Sequence, residues 1–182
     1  MDKATASEAV HAGSIPAGRV LKNIVMRKQK ITISVIGGSS ITPKVGELAL
    51  AVGKMVAELE CVLVCGGLGG AMEAAAKGAK SYGGLTIGLL PGKNKTDANP
   101  YIDISLPTSI GYARNAMVAC SADIIIALPG SHGTNSEICY GVVYGRPVID
   151  LGGWNIEGMI PVKNVAEAKE KIQEIIKKLQ HA

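Results

Sequence analysis

From Ile31 onward the chain alternates two kinds of segment. Short unbroken runs of apolar and β-branched residues give way to longer stretches in which apolar positions recur every three or four. The first run, Ile31–Ile36, ends in Gly37-Gly38-Ser39-Ser40. A helix follows, announced by Thr42 as a hydroxyl N-cap and Pro43 in the first turn, with Val45, Leu48, Ala49, Val52, Val56 and Leu59 along one face. Cys61–Cys65 repeats the strand pattern, closes in Gly66-Gly67-Leu68-Gly69-Gly70, and leads to a small-residue helix through Met72, Ala75, Ala76 and Ala79. Leu85–Leu90 predicts a third strand, ending in Pro91-Gly92. After a polar stretch at 93–100 the pattern predicts a short strand at Tyr101–Ser105 and a helix at Gly111–Ser121. Asp123–Leu128 is a further apolar strand, followed by Pro129-Gly130-Ser131-His132-Gly133-Thr134 and a helix to about Tyr144. A strand at Pro147–Leu151 and an amphipathic helix at Val165–Gln180 close the chain, the helix with Ala168, Ile172, Ile175, Ile176 and Leu179 on one face.

Strands without polar alternation, each followed by a helix, predict a parallel sheet covered on both sides. The expected fold is α/β, a single Rossmann-like doubly wound parallel sheet with helices on both faces. Ligands then sit beyond the carboxyl ends of the strands, where the glycine-rich loops fall. Residues 1–30 mix Ala, Ser, Gly and Lys with little periodicity and predict an N-terminal appendage, partly flexible. Residues 31–182 are expected to form one Rossmann-like domain, nucleotide-binding on the strength of the loops described below.

Composition narrows the choices. Residues 1–30 hold six basic and two acidic side chains, which accounts for the whole net charge of +4; the remainder is neutral. A neutral body with no Phe, one Trp and five Tyr offers neither the electrostatics nor the stacking platform of a nucleic-acid binder. No run of apolar residues is long enough for a membrane span or a secretory signal, so a cytoplasmic protein is expected. The four cysteines form no Cys-x-x-Cys pair and the three histidines are far apart, which argues for buried reduced thiols and against a metal site.

Three loops carry the candidate chemistry: Gly37-Gly38-Ser39-Ser40, Gly66-Gly67-Leu68-Gly69-Gly70 and Gly130-Ser131-His132-Gly133-Thr134. Residues without Cβ let the backbone approach an anion, and each following helix begins with unpaired N–H groups and a positive dipole end. The expected guest is a phosphate. The dinucleotide fingerprint fails, because glycines at 67 and 69 are followed by Met72 where the third belongs. The P-loop fails too: Ile87 and Asn94 stand where a glycine and a magnesium-binding hydroxyl are needed.

The run Gly66 to Glu73 and the run Pro129 to Glu137 resemble the paired GGxxGxM and PGGxGTxxE motifs of the LOG-like Rossmann superfamily. That superfamily includes cytokinin-activating phosphoribohydrolases and proteins carrying a lysine decarboxylase label. The intervening sequence is most similar to the molybdenum-cofactor carrier branch, through Gly83–Gly92, Asn99–Ile104, Ala113-Arg114-Asn115 and Ser121-Ala122-Asp123. The resemblance implies phosphate binding at the three loops and at Met72, with no cofactor required. The bound group it implies is a molybdenum cofactor or a purine nucleotide. It also implies a homo-oligomer, a dimer or tetramer.

In the hydrolase branch the motif glutamate and an upstream arginine carry catalysis, which places those roles on Glu137 and Arg114. Loss of a base from a nucleoside 5′-monophosphate builds positive charge on the ribose; a carboxylate such as Glu137 can stabilise it, while Arg114 clamps a phosphate or ribose oxygen. Thr134 and the amides of Gly133 and Thr134 would hold the phosphate. Three departures favour holding a ligand over cutting it. Ser131 replaces the second motif glycine, Asn115 follows Arg114 where the hydrolases show lysine, and Ser136 precedes Glu137 where they often show a second glutamate. His132 either lines the pocket mouth or faces solvent. A carrier and a phosphoribohydrolase both remain open at this level. Decarboxylation does not gain support, because no lysine stands in a pyridoxal phosphate motif.

Overall fold

The computed structural model describes residues 29–180. The expected appendage lies outside the described residues but for its last two positions. Seven strands and five α-helices follow one another as β1 (Thr32–Ile36), α1 (Pro43–Glu58), β2 (Val62–Cys65), α2 (Ala71–Lys80), β3 (Thr86–Leu90), β4 (Ile104–Pro107), α3 (Arg114–Cys120), β5 (Ile124–Ala127), α4 (His132–Val143), β6 (Val148–Asp150), β7 (Ile160–Pro161) and α5 (Val165–Leu179). The sheet order is β4-β3-β2-β1-β5-β6-β7, and every pairing is parallel. The fold is the Rossmann-like α/β arrangement that the alternation of segments predicts.

Period-two alternation along the central strands feeds two separate cores. Ile33, Val35, Leu63, Cys65, Ile124 and Ile126 point to one side, with α1, α2 and α5. Ile36, Val64, Ile125 and Ala127 point to the other, against Val118 of α3 and Ile138 of α4. Small residues set the spacing on the first side. A Cβ on Gly53 would strike the Ala75 carbonyl, and one on Gly78 the Leu50 carbonyl, so α1 and α2 touch backbone to backbone.

Thr42 caps α1 as expected: its Oγ1 accepts the Val45 N–H at 3.4 Å, with Pro43 in the first turn. Elsewhere the boundaries move. The strand expected at Tyr101–Ser105 lies at Ile104–Pro107. Asn99 explains the shift: its Nδ2 donates to the Leu68 carbonyl at 2.9 Å, and its Oδ1 accepts the Tyr101 N–H. That turn holds residues 99–102 out of the ladder, which Asp103 joins through its N–H to the Thr86 carbonyl at 3.2 Å. The helix expected from Gly111 opens as a 3-10 turn over Gly111–Ala113 and becomes α-helical at Arg114. The two-residue β7 is too short to leave a periodic signal. Nor are all four thiols buried: Cys61 and Cys65 are, Cys120 is half-buried and Cys139 is exposed on α4.

Candidate functional site

The strand order reverses direction between β1 and β5. The chain proceeds outward from β1 through β2, β3 and β4 on one side, then returns to begin β5 on the other. Loops leaving neighbouring strands toward opposite helix layers diverge there and open a crevice. They are stitched at its base. The Gly38 N–H donates to the Pro129 carbonyl at 3.1 Å, and the Ala71 N–H donates to the Gly38 carbonyl at 2.9 Å. Each of the three glycine loops thus contributes to one floor.

Above that floor lies a pocket of about 610 Å³. Of the sequence-predicted residues, its wall takes Gly37, Gly38, Ser39, Leu68 and Met72 from the first two loops and α2. Ser131, Gly133, Thr134 and Glu137 join from α4 and its approach, and Arg114 from α3. Ser40, Gly66, Gly67, Gly69, Gly70 and Gly130 stay outside the lining.

Several of those glycines serve the protein itself. A Cβ on Gly66 would stand 2.6 Å from both Arg114 Nη atoms and 2.6 Å from Met72 Sδ. One on Gly70 would strike the Gly38 and Ser39 backbone, and φ of +71° there suits glycine in any case. Gly130 leaves room for the Thr134 side chain. The amide of Ala71, first in α2, is already engaged by Gly38, so this helix start presents less to a ligand than the sequence implies. The start of α4 differs. Ser131 makes no capping side-chain bond, and Asn135 is the first residue whose N–H returns to the loop, to the Ser131 carbonyl at 2.9 Å. The amides of His132, Gly133 and Thr134 therefore have no helical partner.

Two charged side chains enter the pocket wall, and both are buried. Arg114 Nη1 lies 3.6 Å from Glu137 Oε1, across the gap between α3 and α4. The guanidinium is incompletely matched, since Arg114 Nε has no acceptor among the described residues. Burial pushes the Glu137 carboxyl up to about 8, with Arg114 pulling the other way, and the same burial lowers Arg114. Beneath them Cys65 is sealed in; burial raises its thiol to about 11, so it is no nucleophile at neutral pH.

Asn115 faces the same opening. Its Nδ2 donates to Ser136 Oγ at 3.1 Å, and Ser136 Oγ donates to the Gly133 carbonyl at 2.7 Å. Two of the three positions that depart from the hydrolase pattern are thus bonded to each other, as a neutral pair.

Two wall residues escaped the sequence reading, Tyr112 and Tyr140. Neither belongs to a motif. Tyr112 enters through the 3-10 turn before α3 and Tyr140 through the third turn of α4, and only the packing of α3 beside α4 brings them to one mouth. His132 lines this mouth and is also exposed, which joins the two alternatives left open for it.

The family model for the SLOG cluster4 family matches residues 30–181. The chain belongs to the SLOG cluster4 family. An uncharacterized protein of Archaeoglobus fulgidus is 44% identical over 119 residues, 65% of this chain and 78% of that protein. Among solved structures, the molybdenum cofactor binding protein of Rippkaea orientalis is similar at a TM-score of 0.76 and 34% identity, over 82% of this chain and 99% of that one. The molybdenum cofactor carrier protein of Chlamydomonas reinhardtii is similar at a TM-score of 0.73 and 27% identity, again over 82% and 99%. The likeness to the carrier branch drawn from the segments between the motifs thus extends over 82% of this chain. Among the described residues, no group of three or more His, Cys, Asp or Glu is placed to hold a metal ion, and no helix is long and apolar enough to cross a membrane.

Proposed function

We propose that this chain is a binding or carrier protein that holds a small phosphorylated ligand, a molybdenum cofactor or a purine nucleotide, by its phosphate. The observation that carries this reading is the Arg114 guanidinium. It is buried in the pocket wall, meets Glu137 through one nitrogen, and leaves Nε without an acceptor among the described residues. An unsatisfied buried donor costs about 1–3 kcal/mol, and an anionic oxygen from a ligand would remove that cost. The free amides at the start of α4 and the positive end of its dipole favour the same guest. A pocket of about 610 Å³ has the size of a nucleotide site. Two solved proteins similar to this chain, a molybdenum cofactor binding protein and a molybdenum cofactor carrier protein, support the same class of ligand.

If the cargo is a molybdenum cofactor, Arg114, Thr134 and the amides of Gly133 and Thr134 would hold its phosphate, and Tyr112 and Tyr140 would flank its ring system. The phosphoribohydrolase alternative asks Glu137 to carry negative charge as the base departs. Burial raises the Glu137 carboxyl, which works against the ionised form that role requires. The neutral Asn115–Ser136 pair also removes the extra cation and carboxylate found in the hydrolases. The same reading places a homo-oligomer in the cytoplasm.

Mass spectrometry of the small molecules released on denaturing the purified protein tests the proposal, with a phosphorylated pterin or nucleotide expected. Incubation with AMP should release no free base. Release that disappears in Glu137→Ala would overturn the carrier reading in favour of the hydrolase. Saturable AMP binding should weaken in Arg114→Ala.

A further inference from the structure

Asn115 is the second residue of α3, beside Arg114, and only 6% of it is exposed. It lines the pocket, and its side-chain amide makes two hydrogen bonds, both as donor. Nδ2 donates to the Gly133 carbonyl at 3.3 Å and to Ser136 Oγ at 3.1 Å. Neither bond survives turning the amide over. A carbonyl oxygen can only accept, and Ser136 Oγ spends its one hydrogen on the same Gly133 carbonyl, at 2.7 Å. The polarity of Asn115 is therefore fixed, with Oδ1 as the atom it has left to offer.

Oδ1 accepts from no group among the described residues. It is not sealed in either: among those residues, the fully enclosed side-chain atoms without a partner are Arg114 Nε and Arg146 Nε. The acceptor thus opens on the pocket. Solvent can serve it there, but a ligand that fills the pocket must supply a hydrogen or leave a buried acceptor unpaired.

Around Oδ1 the wall is rich in donors. Arg114 and the amides of His132, Gly133 and Thr134 suit an anion, and the one carboxylate in the wall, Glu137, is met by Arg114. A fully ionised phosphate on those donors has acceptor oxygens only, so it cannot pair with Oδ1 as well. Position says which part of a ligand can. Oδ1 belongs to the amide group that holds the Gly133 carbonyl, and the Gly133 N–H is one of the donors assigned to the phosphate. The acceptor stands beside the phosphate, nearer the sugar of a nucleotide than its base.

We propose that the ligand is a ribonucleotide and that Asn115 Oδ1 accepts a hydrogen bond from its 2′- or 3′-hydroxyl. Ser136 holds the amide with its oxygen toward the ligand and is a positioning residue. Where the ligand lies rests on the phosphate reading; the fixed polarity of Asn115 does not.

Equilibrium dialysis of the full-length protein against AMP, 2′-deoxy-AMP and 3′-deoxy-AMP tests this. A site that bonds a hydroxyl rejects the analogue lacking it, so one of the two deoxy compounds should bind the wild type at least about tenfold more weakly than AMP. In Asn115→Ala the affinity for AMP should fall to that for the deoxy compound, and the ratio should collapse to near one. Ser136→Ala keeps Oδ1 but frees the amide to turn. It should reduce the ratio and leave affinity for the deoxy compound unchanged. If Asn115 only supported the wall, its loss would weaken all three compounds alike and preserve the ratio.

Equal binding of the three compounds by the wild type overturns the proposal. So does a ratio that persists in Asn115→Ala, which would put the hydroxyl on another residue. Should Asn115→Ala fail to fold, the wild-type ratio and Ser136→Ala decide the matter. Adenosine that binds as tightly as AMP overturns the phosphate reading, while adenosine against its two deoxy forms still tests Asn115. A wild type that binds no ribonucleotide, yet releases a phosphorylated pterin on denaturation, overturns the proposal and leaves the phosphate reading in place.

Discussion

Gly66 makes room for Arg114. The guanidinium lies where a Gly66 side chain would stand, with both Nη atoms 2.6 Å from the ideal Cβ position. A loop glycine that reads as a phosphate contact in the sequence is here the seat of the residue that would meet the phosphate.

Gly66→Ala should therefore act at a distance from the ligand. The added methyl meets the guanidinium and Met72 together, so neither can relax without displacing the other. Overpacking of this kind costs about 1–3 kcal/mol, and ligand affinity should fall at least tenfold as Arg114 leaves its place. Chemical denaturation and equilibrium dialysis with AMP read the two effects. Unchanged affinity would mean that Arg114 is not the anion's partner.

Glu137 should make stability depend on pH. Its carboxyl sits at about 8 in the fold against 4.5 for an unperturbed glutamate, because burial disfavours the charged form. The folded protein thus binds a proton more tightly than the unfolded chain. This contribution is fully present below about pH 4.5 and is lost as pH rises through about 8. Urea midpoints measured across that range should decline for the wild type and decline less for Glu137→Gln. Identical slopes would show that Glu137 stays ionised.

Asp150 should matter for a different reason. Its Oδ1 accepts the N–H groups of Gly152, Gly153 and Trp154 at 2.8–3.1 Å, and its Oδ2 that of Asn155 at 2.8 Å. The loop so formed aims the Trp154 indole N–H at the Leu128 carbonyl, 3.0 Å away, just before Pro129 and Gly130. Asp150→Asn loses charge-assisted bonds and should cost about 2–3 kcal/mol in urea unfolding. Trp154→Phe should cost less, about 1 kcal/mol from the indole bond, while loosening the loop that leads into α4.

The contact between α1 and α2 supplies a control far from the pocket. Gly78→Ala places a methyl against the Leu50 carbonyl and should destabilise by about 1–3 kcal/mol, with the ligand affinity of the folded protein unchanged. A thermal melt and the same dialysis check both halves.

What the sequence by itself determined is the order of strands and helices, the two-residue β7 apart, and the rim on which the loops lie. Buried parallel strands must be apolar without alternation, and a chain that must turn from strand into helix needs glycines, so Ile31–Ile36 and Gly66–Gly70 are readable locally. Arg114 and Glu137 were found through motifs, though their pairing was not. That pairing, the seat under Arg114, the bond between Asn115 and Ser136, and the presence of Tyr112 and Tyr140 at one mouth depend on α3 lying beside α4. Helices on either side of β5 in the chain meet only once that strand is seated in the sheet, and no local pattern encodes which of their side chains will face each other.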